Sequence, residues 1–155
     1  MKKLKPIITI FLFIALIMIV FFSIARQENV QTVQNNNQTQ EALSIDLHHV
    51  QCPFCTMVVG DEKYAAQVAS TSGRTWVFDD FGCMTKWLDD KAFVEGAPKI
   101  WVYAQDLKRW IDAHDAFYET GHTSPMGYGY AAFKKQTSKR LTYKDARKNI
   151  LQGKK

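Results

Sequence analysis

Two thiols three residues apart, Cys52 and Cys55, open the search for chemistry; they lie in HHVQCPFCTMVV at residues 48–59, with Met57 two positions on. Two imidazoles, His48 and His49, stand just upstream. Cys and Met are the soft side chains, and a cluster of them suits Cu(I) better than any hard cation. A thiolate supplies charge and affinity but must first lose its proton, whereas a thioether is neutral and available at any pH. One or two of each give a site whose ligands can be exchanged one at a time, as a carrier that must release its metal requires. After Pro53 polar and apolar residues alternate, which predicts a strand with the sulfurs of Cys55 and Met57 on one side.

Other sulfur and imidazole groups are candidates at a distance. Met126 lies in GHTSPMGYG, residues 121–129, where Pro125 and the glycines mark a loop. There a large apolar side chain is either a packing anchor or a thioether presented to a ligand, and His122 could join either arrangement. Cys83 falls on a helix, beside its apolar face, and reads as a buried small hydrophobe sooner than as a ligand. Met84 reads as core. If Cys52 and Cys55 pair as a disulfide, Cys83 is left alone.

Two other chemistries use the same residues. Cys52-Pro-Phe-Cys55 is letter for letter a glutaredoxin-like motif, and Pro98 stands before a strand, about where a thioredoxin-like fold has its cis-proline. Such a fold would start a long helix inside the motif, and Thr56, Val58, Val59 and Gly60 do not favour one. A structural zinc site could join His49, Cys52 and Cys55 to His114 or His122, but only one Cys pair exists. No general base, carboxylate pair or activated nucleophile stands out, so no enzyme is expected.

The elements that must position these groups begin with residues 7–25, an apolar run broken only by Thr9 and Ser23 and preceded by Lys2, Lys3 and Lys5. Its length matches a bilayer core of about 30 Å. Lysines in front keep the N-terminus in the cytoplasm. The expectation is an anchor over residues 1–26, single-pass in the cytoplasmic membrane, with the remainder facing the periplasm. A cleaved signal ending at Ser23-Ile24-Ala25 is the alternative. Residues 27–42, rich in Gln and Asn, read as a disordered tether, and residues 43–155 as the folded domain.

Charge excludes one class of partner. The chain has 20 Lys+Arg against 15 Asp+Glu; without Lys2, Lys3, Lys5 and Arg26 the balance is 16 to 15. The excess belongs to the anchor, and nucleic acid is not an expected partner. Residues 134–155 hold nine bases and one acid, Asp145, a solvated helix face or a contact for anionic lipid.

Within the domain, strands are expected at 44–50, 64–69, 75–78, 100–103, 116–119 and 128–133 from β-branched and aromatic content between turns. Asp79 or Asp80 caps a helix whose face carries Phe81, Met84, Trp87 and Leu88, and Gly96-Ala97-Pro98 closes it. Thr142 and Asp145 start a last helix over 143–152. The order is α+β, with strand, strand, helix, strand once clearly and once faintly.

Four segments together resemble the NosL family, accessory copper proteins of nitrous oxide reductase: Cys55-Thr56-Met57, FDDFGC at 78–83, Trp-Ile-Asp-Ala at 110–113 and Ser-Pro-Met-Gly at 124–127. The resemblance runs from about Gln51 to the last helix. It implies an extracytoplasmic Cu(I) chaperone acting with nitrous oxide reductase or its assembly machinery. It also implies two small ββαβ-like halves with short, mostly antiparallel strands. Carried over position by position, the copper ligands fall on Cys55, Met57 and Met126; with the residues themselves, the candidate set is Cys52, Cys55, Met57, His122 and Met126. Family members usually have Gly where this chain has Thr56, and are usually lipoproteins, where this chain has an apolar N-terminal helix.

Overall fold

A computed structural model of the chain describes residues 4–25, 30–90 and 97–154. Among the described residues there are three α-helices, a 3-10 turn at Ala113–Asp115 and one eight-stranded sheet. The α+β class is as expected, but the expected halves are fused into a single sheet. The strands are β1 (Val33–Gln34), β2 (Ala66–Ala69), β3 (Thr75–Phe78), β4 (Lys99–Ala104), β5 (Arg109–Asp112), β6 (Phe117–Glu119), β7 (Ala131–Phe133) and β8 (Leu141–Thr142). They run in the order β1-β3-β2-β4-β7-β6-β8, with β5 paired to β4. Every pairing is antiparallel except β4 with β7, a parallel contact at Ala104 and Ala132. That contact is where the two expected halves become one. The expected strand at 44–50 is instead loop and turn as far as His49, with Val50 in an isolated parallel bridge to Gln31.

Helix α2 (Phe81–Asp90) follows β3 directly. The Asp80 side chain accepts from the Gly82 amide at 2.8 Å, satisfying an orphan donor of the first turn. Phe81, Met84 and Trp87 bury one face of α2 against Val68, Trp76 and Phe78. Trp87 lies 5.1 Å from the Trp76 ring and 5.3 Å from Phe78. Residues 91–96, including Gly96 of the expected helix end, lie outside the described residues. Helix α3 (Tyr143–Leu151) has Thr142 as its N-cap, with the Asp145 amide donating to the Thr142 hydroxyl.

The opposite face of β2 and β3 is covered by chain rather than helix. Val77 packs with Ile45, Val50, Val59 and Ala65. Buried Gln67 donates to the Leu43 carbonyl at 2.8 Å and accepts from its amide at 2.9 Å. Residues 30–42 therefore differ from the tether expected at 27–42. They add β1 to β3, and buried Asn37 donates to the Glu41 carbonyl and the Thr75 hydroxyl. Gln40 donates to the Ala69 carbonyl, and its own carbonyl accepts from the Trp101 indole. Side-chain amides that offer little to a core here satisfy backbone groups across the sheet. Residues 27–29 lie outside the described residues.

Helix α1 (Leu4–Ala25) is apolar. Among the described residues, no helix is long and apolar enough to cross a membrane. The single-pass span expected over residues 7–25 therefore has no support among the described residues; Lys2, Lys3 and Arg26 lie outside them.

Candidate metal centre

The sulfur stretch is a tight hairpin and not the expected strand. Gln51 bridges Val58, the Val59 amide donates to the Val50 carbonyl at 2.8 Å, and the Cys52 amide donates to the Met57 carbonyl at 2.8 Å. The Thr56 amide returns to the Cys52 carbonyl at 2.9 Å, and the Gln51 side chain donates to the Thr56 carbonyl. Closing the loop puts Thr56 at φ +63°. That conformation is costly for a β-branched residue, since its Cβ crowds the following carbonyl. It is also the position where glycine would fit without strain.

The hairpin lowers two thiols onto the junction of β3 and α2. Cys52, Cys55, Cys83 and Asp79 place their donor atoms within 4.8 Å of one another. Cys52 and Cys83 are fully buried, Asp79 is nearly so, and Cys55 is half-buried. Cys55 Sγ donates to Asp79 Oδ1 at 3.3 Å. The other carboxylate oxygen, Oδ2, is buried with no hydrogen-bond partner. A buried carboxyl oxygen without a hydrogen-bond partner is costly. Beside three sulfurs, it marks the space as one a cation would fill.

The thiols do not share a proton affinity. The Cys83 thiol, donating to Cys52, is the largest influence on Cys52. With the backbone amides of Cys55, Asp79 and Phe54 it outweighs burial and pulls Cys52 down to about 7. Burial pushes Cys55 up to about 12, reinforced by Cys52 and Asp79. Cys83 is pushed up because its proton is held in the bond to Cys52, and burial adds to this. At neutral pH the site thus carries a partial thiolate on Cys52 and holds its remaining thiol protons on Cys55 and Cys83.

Cys52 and Cys55 of the expected set are brought together here. Cys83, read from sequence as core, lies in the core and in the cluster at once. Asp79 carried no ligand signal in the sequence beyond its place two residues before a helix. Met57 is exposed on the same hairpin. Met126 is exposed on the loop at 121–129, its amide donating to Asp80 Oδ2 at 3.2 Å. His122 stands apart from the cluster, 3.4 Å from Glu119 and against the Tyr64 and Phe133 rings. The imidazoles of the zinc expectation are also elsewhere: His49 meets Asp46 at 3.2 Å and His114 meets Asp112 at 3.0 Å.

The loop at 121–129 is clasped to α2 beside the site. Asp80 Oδ2 accepts from the Ser124 hydroxyl at 2.6 Å, and Ser124 Oγ accepts from the Gly129 amide at 2.9 Å. Burial raises the Asp80 carboxyl above its usual range, although Ser124, Gly82 and Met126 all donate to it. Tyr128 lies on the first turn of α2. Its phenol is raised by burial and then by the neighbouring Cys83, Asp80, Cys55 and Asp79.

No family model matches the chain, and no curated protein matches it. Among solved structures, the fold is similar to that of the copper chaperone NosL from Shewanella denitrificans. The match covers 75% of this chain and 90% of that one, with a TM-score of 0.55 and 22% identity.

Proposed function

We propose that this chain is an extracytoplasmic Cu(I) carrier that takes copper at the Cys52–Cys55–Cys83–Asp79 cluster and hands it on for assembly of nitrous oxide reductase. The observation that carries the proposal is the convergence of three thiols and a buried, partly unsatisfied carboxylate within 4.8 Å. Thiolates select soft cations. Asp79 Oδ1 accepts a hydrogen bond from Cys55, so a metal held by these sulfurs has a carboxylate oxygen beside it. Copper rather than zinc is favoured by the fold's likeness to a copper chaperone and by two exposed thioethers, Met57 on the Cys52–Cys55 hairpin and Met126 on the loop whose amide bonds Asp80. The resemblance to the NosL segments supports nitrous oxide reductase as destination. The apolar run at 7–25 behind Lys2, Lys3 and Lys5 supports a membrane anchor with the domain on the periplasmic side.

The test uses the full chain, reduced, in mild detergent. One equivalent of Cu(I) should bind far more tightly than Zn(II), and Cys55→Ser should weaken Cu(I) binding by at least about tenfold, or 1.4 kcal/mol. Loaded protein should restore copper to apo nitrous oxide reductase faster than a small-molecule Cu(I) complex of equal affinity. Preference for Zn(II) would overturn the copper assignment, and transfer no faster than from the complex would overturn delivery.

One observation favours a second reading, thiol–disulfide exchange: Cys52, at about 7, has the acidity of a nucleophilic thiol. Its burial opposes this, as does the turn at 53–55, which no helix follows. Insulin-disulfide reduction at an enzymatic rate, lost in Cys52→Ser, would decide for exchange.

A further inference from the structure

We propose that Tyr128 is a steric gate over the thiol cluster, seated in a notch that Gly82 leaves on α2 and held shut by Asp80 and Ser124. The inference rests on the proposal that the cluster handles a metal ion, and it assigns the residue that controls entry and exit.

Gly82 is the second residue of α2, between Phe81 and Cys83. A Cβ built there would fall 2.1–2.6 Å from three carbons of the Tyr128 ring, starting with Cγ. No side chain fits between ring and helix, so the missing Cβ is what lets the ring lie flat on the backbone that presents Cys83. Lys86, one turn on, holds its ammonium 5.4 Å from the ring centroid. Tyr128 also packs on the core cluster that contains Cys52, Cys83 and, at its margin, Cys55.

The clasp grips the loop on both sides of this ring. Asp80 Oδ2 holds the Met126 amide two residues before Tyr128, and Ser124, itself bonded to Asp80, holds the Gly129 amide one residue after it. Gly127, between the grips, and Gly129, at the second, have φ of +69° and +77°, where glycine turns the chain without side-chain strain. A bulky ring flanked by two such residues and fixed by hydrogen bonds can swing as a unit when those bonds part. A small ion passes a closed gate more readily than a bulky reagent does, so the gate sorts by size.

A gate that closes over empty and loaded sites alike changes entry and exit rates by one factor and leaves affinity alone. The experiment therefore begins on the reduced apo full chain in detergent, so that it reads the gate whether or not copper binds. Covalent modification of Cys55 is followed residue by residue by mass spectrometry, with methyl methanethiolsulfonate, which forms a methyl disulfide and releases methanesulfinate, as the small reagent and a fluorescein maleimide as the bulky one. Tyr128→Ala should raise the bulky rate by at least about tenfold and leave the small-reagent rate nearly unchanged. Gly82→Ala, which keeps the ring but pushes it off and strengthens the helix, should do the same, as should Ser124→Ala more weakly. Tyr128→Phe should match the parent, since the ring is the gate. For loaded protein, Cu(I) capture by bathocuproine disulfonate should accelerate in the same order at unchanged affinity. Failure of the parent to bind Cu(I) defeats the proposed function while thiol modification still decides the gate. Bulky-reagent rates equal to the parent in both Tyr128→Ala and Gly82→Ala overturn it. So does equal acceleration at Cys55 and buried Cys83 that tracks the denaturant midpoint, because that is global unfolding.

Discussion

Cu(I) displaces the proton of each thiol it binds, so affinity rises with pH, and the slope of its logarithm counts the protons released. Cys52, held at about 7, is half ionised at neutral pH, while Cys55, at about 12, and Cys83, also pushed up, keep their protons. Binding through all three should release about three protons well below pH 7 and about two well above it. Between about pH 6 and pH 8 the affinity should climb by about five decades, with a bend near 7 that belongs to Cys52. Cys83→Ala removes one thiol and also the hydrogen bond that most lowers Cys52. Cys52 then enters the reaction protonated, so the slope in the variant becomes about two throughout, without a bend.

The assay is anaerobic competition against a Cu(I) chelator of known proton dependence, in half-unit steps of pH, with circular dichroism confirming the fold of each protein. A parent slope near one would mean a single thiolate site. Superimposable curves for parent and Cys83→Ala would remove Cys83 from the ligand set. Either result refutes the three-thiol site.

Thr56→Gly should stabilise the apo protein by about 0.5–1 kcal/mol, relief of the left-handed strain exceeding the glycine's own entropy cost, read as a higher urea midpoint at unchanged m. Asn37→Ala strips two hydrogen bonds from a buried position and should lower stability by about 1–3 kcal/mol; no change in the midpoint would mean residues 30–42 do not hold to the sheet in solution. Thr142→Ala removes the cap of α3 and should cost about 1 kcal/mol, seen as faster hydrogen exchange in the amides of that helix.

What the sequence shows well here is what local chemistry decides. Thr75–Phe78 is a strand because four β-branched and aromatic residues lie between a turn and an acidic cap. Helix α3 starts at Thr142 because the Thr and Asp145 can satisfy each other and the helix end. Where the partner is distant, the signal fails. Asn37 and Gln40 read as tether because their amides have no local use, yet Thr75 and Ala69 across the sheet accept them. The Cys55–Met57 alternation reads as a strand because nothing in Thr56 announces a positive φ; the turn is imposed by hydrogen bonds between Cys52 and both Thr56 and Met57.

Cys83 shows why core and site were hard to separate. Its place on the buried side of α2 is a correct sign of core, and it does lie among Phe81, Met84 and Trp87. The same burial raises its proton affinity, and its thiol proton is what lets Cys52 ionise near neutrality inside the protein. A thiolate on an exposed loop would exchange freely with water and with any passing thiol. Set into the core, with Asp79 Oδ2 unsatisfied beside it, it is protected from both, and the cost of the buried charge falls when a cation arrives. The cluster forms as a consequence of where the hydrophobic residues of β3 and α2 pack, so a substitution that repacks Met84 or Phe78 should disturb the proposed metal affinity as well as stability.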